Sequence, residues 1–538
     1  MHALKAPSFF RPASRPSSPA PTGTSGSVPP SRPDSGLGFE RSARPLNKLS
    51  LSSFRRPSPA PAPTPLPAPQ PLVQDGSYLE VWSLKLSEAV SKALAQPTGP
   101  AASNEQLGGK RPIPAGRGRA LGTLIASELR ATRDNTHLNR ATIRCLHRPL
   151  SVLITNISAH LLPLLSSPAF LDPPAPTQQS PNLNSTQLHA IALATFAGEV
   201  LETFDELGLG IDSADIRGDG LKSIREGLIS LVSRVVNPLI TGIRRDIMPV
   251  LEALEVPNTV SSGSPSTKPV VANGKSTASS LVFHPSIVIL QGIVPIYAKA
   301  LGRYTSTAAT QTPLATLLIS IAWRGLVALA HREPRPPTPP PSPTPIPPVM
   351  KKQRRLSSGP QTPSSARFAI KLPPSRPPSP PPVPLPASTA ADARALYDLL
   401  NLLPRPNGAQ ESTRLAREAV DEAFDGLKTL AAFLEAVQDN ALLKESDGVP
   451  ARLDALTADL PTLVALPALM RACGEVRSVA GILGFAEEEY RGECLSGFGR
   501  AEDCAGVVAQ RVLDVLLADG ADGVLEGWLE REIELADD

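Results

Sequence analysis

Proline decides where this chain can fold. Of its 62 prolines, 17 fall in residues 1–76 and 21 in residues 334–389. Neither stretch can hold a regular helix or a paired strand, because each proline removes a backbone donor and fixes φ. The other 406 positions carry only 24 prolines and enough Leu, Ile, Val and Ala to bury a core. Glycine shows no period of three, which excludes a collagen-like rod. The expected organisation is a disordered Pro/Ser-rich basic tail (1–76), a helical domain (77–333), a disordered basic Pro-rich linker (334–389) and an acidic helical domain (390–538).

The fold class reads as all-α, because apolar residues recur at helical spacing and no convincing alternating strand is present. Ser77-x-x-Glu80 makes a capping box ahead of Trp82, Leu86, Val90 and Leu94. Long loops are expected near 97–118, 167–183 and 257–280, with one helix over 119–148. Asn184-x-x-Gln187 caps a helix whose Leu188, Ile191, Phe196, Val200, Phe204 and Leu207 share a face. The stripe Leu221, Ile224, Leu228, Leu231 and Val235 is expected to stop at Asn237-Pro238, and two buried helices fill 284–333. In the acidic domain, Phe424 to Val437 and Val507, Val508, Val512, Val515 and Leu516 make further stripes, and Gly520 suits a helix C-terminus. Two units of this kind fit an irregular bundle or an α-solenoid-like stack, although no fixed repeat length is visible.

The most apolar stretch, residues 314–330, has 17 residues with Arg324 near its middle. A central arginine costs about 2.5–3.5 kcal/mol on insertion, so the stretch reads as a core helix rather than a membrane span. The four cysteines (Cys145, Cys473, Cys494, Cys504) make no CxxC pair and read as reduced thiols of an intracellular protein. The opening residues show no apolar leader, and their prolines argue against an amphipathic mitochondrial presequence.

Charge is unevenly distributed. Residues 334–389 hold eight Lys and Arg and no acids, whereas residues 390–538 hold 13 against 29 acids. The pattern suggests polyanionic partners, or an internal contact in which the linker lands on Glu487, Glu488 and Glu489. Within the linker, Lys351, Lys352, Arg354 and Arg355 have the form of a nuclear import signal, and Ser357 beside them fits a basic-directed kinase site. Thr338, Ser342, Thr344, Thr362 and Ser379 precede prolines as candidate phosphorylation sites. Lys371, Pro374 and Pro377 have the spacing of a polyproline-helix ligand, and a stiff spacer between two domains explains the same composition.

Arg130, Arg133, His137, Arg140, Arg144 and Arg148 step by three or four residues. On one continuous helix they form a ridge matched to phosphates, or simply a solvated face. Asp215, Asp219 and Glu226 stand at the first, fifth and twelfth places of a calcium loop, but Arg217 occupies the third, where an oxygen ligand belongs. Catalytic and phosphate-binding motifs are absent: Gly274-Lys275-Ser276 lacks its first glycine, which is Pro269. No cofactor is implied.

The sequence therefore reads as a non-enzymatic regulatory scaffold of the nucleus or cytoplasm. Its protein partners would meet the linker and the helical surfaces. A sequence-tolerant binder of nucleic acid or anionic lipid is the second reading. An enzyme whose site assembles only on folding is the third.

Overall fold

Local capping and apolar stripes set most helix boundaries. The computed structural model describes residues 73–98, 105–176, 181–211, 221–257, 283–333, 387–408, 411–438, 449–520 and 523–537. Before the linker lie α1 (Val73–Leu94), α2 (Arg117–Ala131), α3 (Thr136–Leu165), α4 (Ser185–Glu206), α5 (Leu221–Glu252), α6 (Pro285–Tyr304) and α7 (Gln311–Ala330). After it come α8 (Thr389–Leu400), α9 (Glu411–Gln438), α10 (Val449–Thr457) and α11 (Thr462–Ala472). The last four are α12 (Val479–Leu483), α13 (Glu487–Cys494), α14 (Phe498–Asp519) and α15 (Gly523–Asp537). Extended pairing among the described residues is limited to an antiparallel ladder, Ala175–Pro176 on Pro181–Asn182, and one isolated bridge between Leu107 and Lys110.

Several boundaries follow the sequence reading. The Asn184 side chain accepts the Gln187 N–H at 2.8 Å, and the Gln187 side chain accepts in return, so the capping box is complete. Gly520 adopts φ 67° at the end of α14, in the left-handed region.

Other boundaries move. No proline lies between Val73 and Ser77, so α1 runs back past Ser77, which sits inside the helix instead of capping it. Residues 119–148 are two helices, because Asn135 takes an extended conformation and its side chain accepts the Leu138 N–H at 3.1 Å to start α3. Pro238 does not stop α5. A proline inside a helix costs about 3 kcal/mol. Beyond it Leu239, Ile240, Ile243, Ile247 and Leu251 are all buried, each worth about 1.5–3 kcal/mol. Val507 is 76% exposed and off the α14 stripe, which is carried by Val508, Val512 and Leu516.

The packing changes the domain picture. Helix α1 packs on α3, α2 on α4, and both α3 and α4 on α5; α5 then packs on α7, and α7 on α9. Helix α11 continues the stack, meeting α7, α9 and α14, and α14 carries α15. A single cluster of buried side chains extends from Trp82 through Trp323 and Phe424 to Trp528. From α1 onward the described helices thus form one compact unit, and the expected boundary between a 77–333 domain and a 390–538 domain is crossed by a shared core. The apolar faces on the two sides of the linker are complementary, and neither is covered without the other. Helix α7 lies at the centre of this core, and Arg324 leaves it through an ion pair with Glu252 at 2.9 Å.

Helices α2 and α4 approach closely because Gly118 and Gly122 face α4. A Cβ on Gly118 would lie 2.4 Å from the Phe196 carbonyl oxygen, and one on Gly122 would lie 2.9 Å from Thr203 Cβ. Neither neighbour is a flexible side-chain end. Gly118→Ala is expected to lower stability by about 1–3 kcal/mol through overpacking, whereas alanine at Gly242, where no atom lies within 4 Å, stays near wild type. Thermal unfolding of the two variants checks this.

Candidate functional site

Residues at the ends of α5 and α7 and at the starts of α6 and α8 meet at one buried polar hub. Arg332, just past α7, donates from Nη1 to Asp392 Oδ2 at 2.6 Å and from Nε to the Leu254 carbonyl at 2.5 Å. Asp392 lies in the first turn of α8, where the helix dipole favours its charge, and its Oδ1 accepts the His284 N–H at 3.1 Å. The Arg332 and Asp392 side chains are only 6% and 2% exposed. His284 Nδ1 accepts the Ser286 N–H at 3.2 Å, which leaves Nε2–H to donate to the Val256 carbonyl at 3.1 Å. Burial, with Arg332 adding to it, pushes His284 below the usual histidine range, in keeping with that neutral tautomer.

Two chain segments are tied off at this point. The His284–Val256 bond closes a stretch of 28 residues, and the Arg332–Asp392 pair closes one of 60. Arg332 and Asp392, on either side of the Pro-rich stretch 334–389, are therefore in direct contact within a single helical body.

Beside the hub opens a cleft of about 860 Å³ between the ends of α5 and α7 and the α11–α13 region. Glu252, Glu255, His331, Glu333, Arg471 and Arg491 line it, with Tyr490 and Glu487. Arg491 binds Glu255 through both terminal nitrogens and Glu487 through Nε at 3.1 Å. These carboxylates, Glu255 foremost, hold its guanidinium firmly protonated. Arg471 donates to the Ala330 carbonyl, and burial pushes it down against the opposing charge of Glu333.

His331 is neutral: burial lowers it to about 4, and it bonds the Val327 carbonyl through Nδ1 at 3.0 Å. Its Nε2, the Tyr490 hydroxyl and Arg332 Nη2 are buried with no hydrogen-bond partner among the described residues. Nothing here couples a nucleophile to a base, and among the described residues no three His, Cys, Asp or Glu side chains converge as a metal site. The arrangement is suited to holding chain segments through charge and hydrogen bonds.

The residues singled out from sequence fall in different places. Lys351, Lys352, Arg354, Arg355, Ser357, the Ser/Thr-Pro steps and the Lys371–Pro377 motif lie outside the described residues, as do Asp215 and Asp219. Glu226 is an exposed residue of α5. Arg130 and Arg133 lie at the end of α2 and in the turn after it, whereas His137, Arg140, Arg144 and Arg148 lie on α3. All six are exposed, but the single helical ridge is divided at Asn135. Within α3 the last four still share a face of about 80° by helical spacing. Of the acidic triplet, Glu487 is already bound to Arg491, while Glu488 and Glu489 are exposed.

The hub itself carried no sequence signal, since Arg332, His284 and Asp392 are single polar residues in three separate segments. No family model matches the chain, and neither a curated protein nor a solved structure is similar to it.

Removing one member of the buried pair strands the other charge, so Asp392→Ala is expected to cost about 3–5 kcal/mol of stability. An apolar double replacement, Arg332→Met with Asp392→Leu, is expected to recover much of that loss. Denaturant unfolding of the two variants measures the difference.

Proposed function

We propose that this chain is a non-enzymatic regulatory scaffold of the nucleus and cytoplasm, whose helical body displays the basic Pro-rich segment as a tethered loop. The observation that carries the reading is the Arg332–Asp392 pair at the loop's base. A segment whose ends meet in a buried ion pair does not space two domains apart. It holds its short motifs near one face of a rigid body, where a partner docked on one motif keeps its neighbours at high effective concentration. Lys351, Lys352, Arg354 and Arg355 then serve an import receptor. Lys371, Pro374 and Pro377 offer a polyproline ligand, and phosphorylation at Ser357 or the Ser/Thr-Pro steps changes the charge beside them.

Loop excision tests this reading. Replacing residues 338–384 with a short Gly/Ser bridge leaves the buried pair in place. Shortening such a loop gains about 0.6 kcal/mol per halving of length. The expected result is a body as stable as wild type or slightly more so, excluded from the nucleus and unable to capture the loop's partners. Full-length protein with Lys352, Arg354 and Arg355 changed to Ala is expected to lose nuclear entry alone. An excised variant that unfolds, or one that still enters the nucleus and captures the same partners, overturns the proposal.

A second reading, binding of nucleic acid or anionic lipid, is favoured by the exposed basic groups at the α2–α3 corner. Arg133, Arg140 and Arg148 have no carboxylate partner among the described residues. Changing these three to Glu is expected to abolish retention on heparin, RNA and anionic vesicles at low salt while leaving helicity intact. Each arginine lost from a phosphate contact lowers the salt slope by about 1. Wild-type protein that ignores all three polyanions overturns this reading.

A further inference from the structure

Helix α3 carries no acidic residue in any of its 30 positions. Arg140, Arg144 and Arg148 are exposed along its first half, with His137 and His147 beside them. At 100° per residue, Arg144, Arg148, Thr155 and Leu162 fall within an arc of about 40°. The outward face therefore changes character along the helix, cationic as far as Arg148 and uncharged beyond it. Large apolar side chains stand in water on that second half: Val152 is 50% exposed and Leu162 66%. Leu171, in the short turn after α3, is 56% exposed.

An open groove of about 510 Å³ lies where this end of α3 meets α5. Leu165, Phe170 and Leu171 line it from the α3 side, and Ser230, Ser233 and Arg234 line it from α5. Arg234 is exposed and, like Arg140 and Arg148, has no carboxylate partner among the described residues. Cations and exposed apolar side chains thus share one surface.

We propose that the outer face of α3 and this groove form a docking surface for an anionic phospholipid bilayer. The inference rests on the reading in which the α2–α3 corner binds polyanions, and narrows it to one class of partner. Arg140, Arg144 and Arg148 meet lipid phosphates, while Leu162 and Leu171 dip below the headgroups. The groove takes the upper part of one acyl chain, with Arg234 beside the phosphate of that lipid. From Arg148 to Leu162 is about 21 Å along the axis. Helix α3 therefore lies along the membrane plane with its C-terminal end tipped inward, and no segment crosses the bilayer.

The other occupants fit this surface less well. Single-stranded nucleic acid binds by stacking its bases on aromatic rings, and Phe170, the aromatic side chain lining the groove, is only 2% exposed. Nucleic acid also gains nothing from Leu162 or Leu171. A second copy of the chain, docked about a two-fold axis, would set the arginine face against itself. An anionic bilayer uses both halves of the face at once.

The test sediments the full chain with phosphatidylcholine vesicles that contain or lack phosphatidylserine. Binding is expected only with phosphatidylserine, and is expected to weaken as salt rises. Leu162→Ser combined with Leu171→Ser is expected to weaken vesicle binding by about tenfold or more while leaving retention on heparin and RNA unchanged. Arg140→Glu combined with Arg148→Glu is expected to lose all three. Equal binding to neutral vesicles overturns the proposal. Wild-type protein that holds RNA but no vesicles, or a serine variant that holds vesicles as wild type does, overturns it and leaves the polyanion reading standing. Wild-type protein that ignores vesicles, heparin and RNA alike overturns both. Should the serine variant fold poorly, amide exchange of the wild type decides: it is expected to slow across 159–171 with phosphatidylserine vesicles and not with RNA, and exchange unchanged by vesicles overturns the proposal.

Discussion

The Arg332–Asp392 ion pair is the interaction on which the arrangement of the rest depends. Both charges are almost wholly out of water, which is costly unless every lone pair and proton is used. Most are: Arg332 also reaches the Leu254 carbonyl, and Asp392 also receives the His284 amide. Four segments that are remote in sequence thereby meet in one place: the chain after α5, the start of α6, the end of α7 and the first turn of α8. An apolar contact at this position would bury similar area but would accept several registers. A fork of directed hydrogen bonds accepts one.

Around that point the apolar stack provides the bulk of the stabilisation and the polar contacts provide registration. Helix α7 is sandwiched between α5 and α9, and its exposed edge is trimmed by Arg324 reaching Glu252. On the far side of the body α2 and α4 are drawn together by glycines, where the absence of a Cβ lets backbone meet side chain. At the other end Trp528 donates to Thr457 at 3.2 Å, fixing α15 on α10. Each of these polar contacts couples elements that apolar packing alone would leave free to slide.

Local signals were readable in the sequence and long-range ones were not. Asn184 with Gln187, and Gly520, act within four residues of themselves, so their roles could be read directly. The stripe on α4 was equally visible, because a helical face is a property of spacing. Pro238 misled because its local penalty is real but is outweighed by five buried aliphatic residues beyond it. Asn135 passed unnoticed inside a charged run whose helical spacing continued across it. The division into two domains followed composition, and composition does not report that apolar faces on either side of a Pro-rich stretch fit each other.

The closure of the linker at its base also bears on covalent continuity. Since residues before and after it lie in one core, the peptide bonds of the linker do not hold that core together. A single cut there would release no domain. The two pieces, one ending after α7 and the other beginning before α8, would stay associated through α7–α9 and the hub. They would travel as one particle under native conditions and separate only on unfolding. Processing of the linker would thus give a two-chain protein with its helical body unchanged and two new free ends beside the cleft.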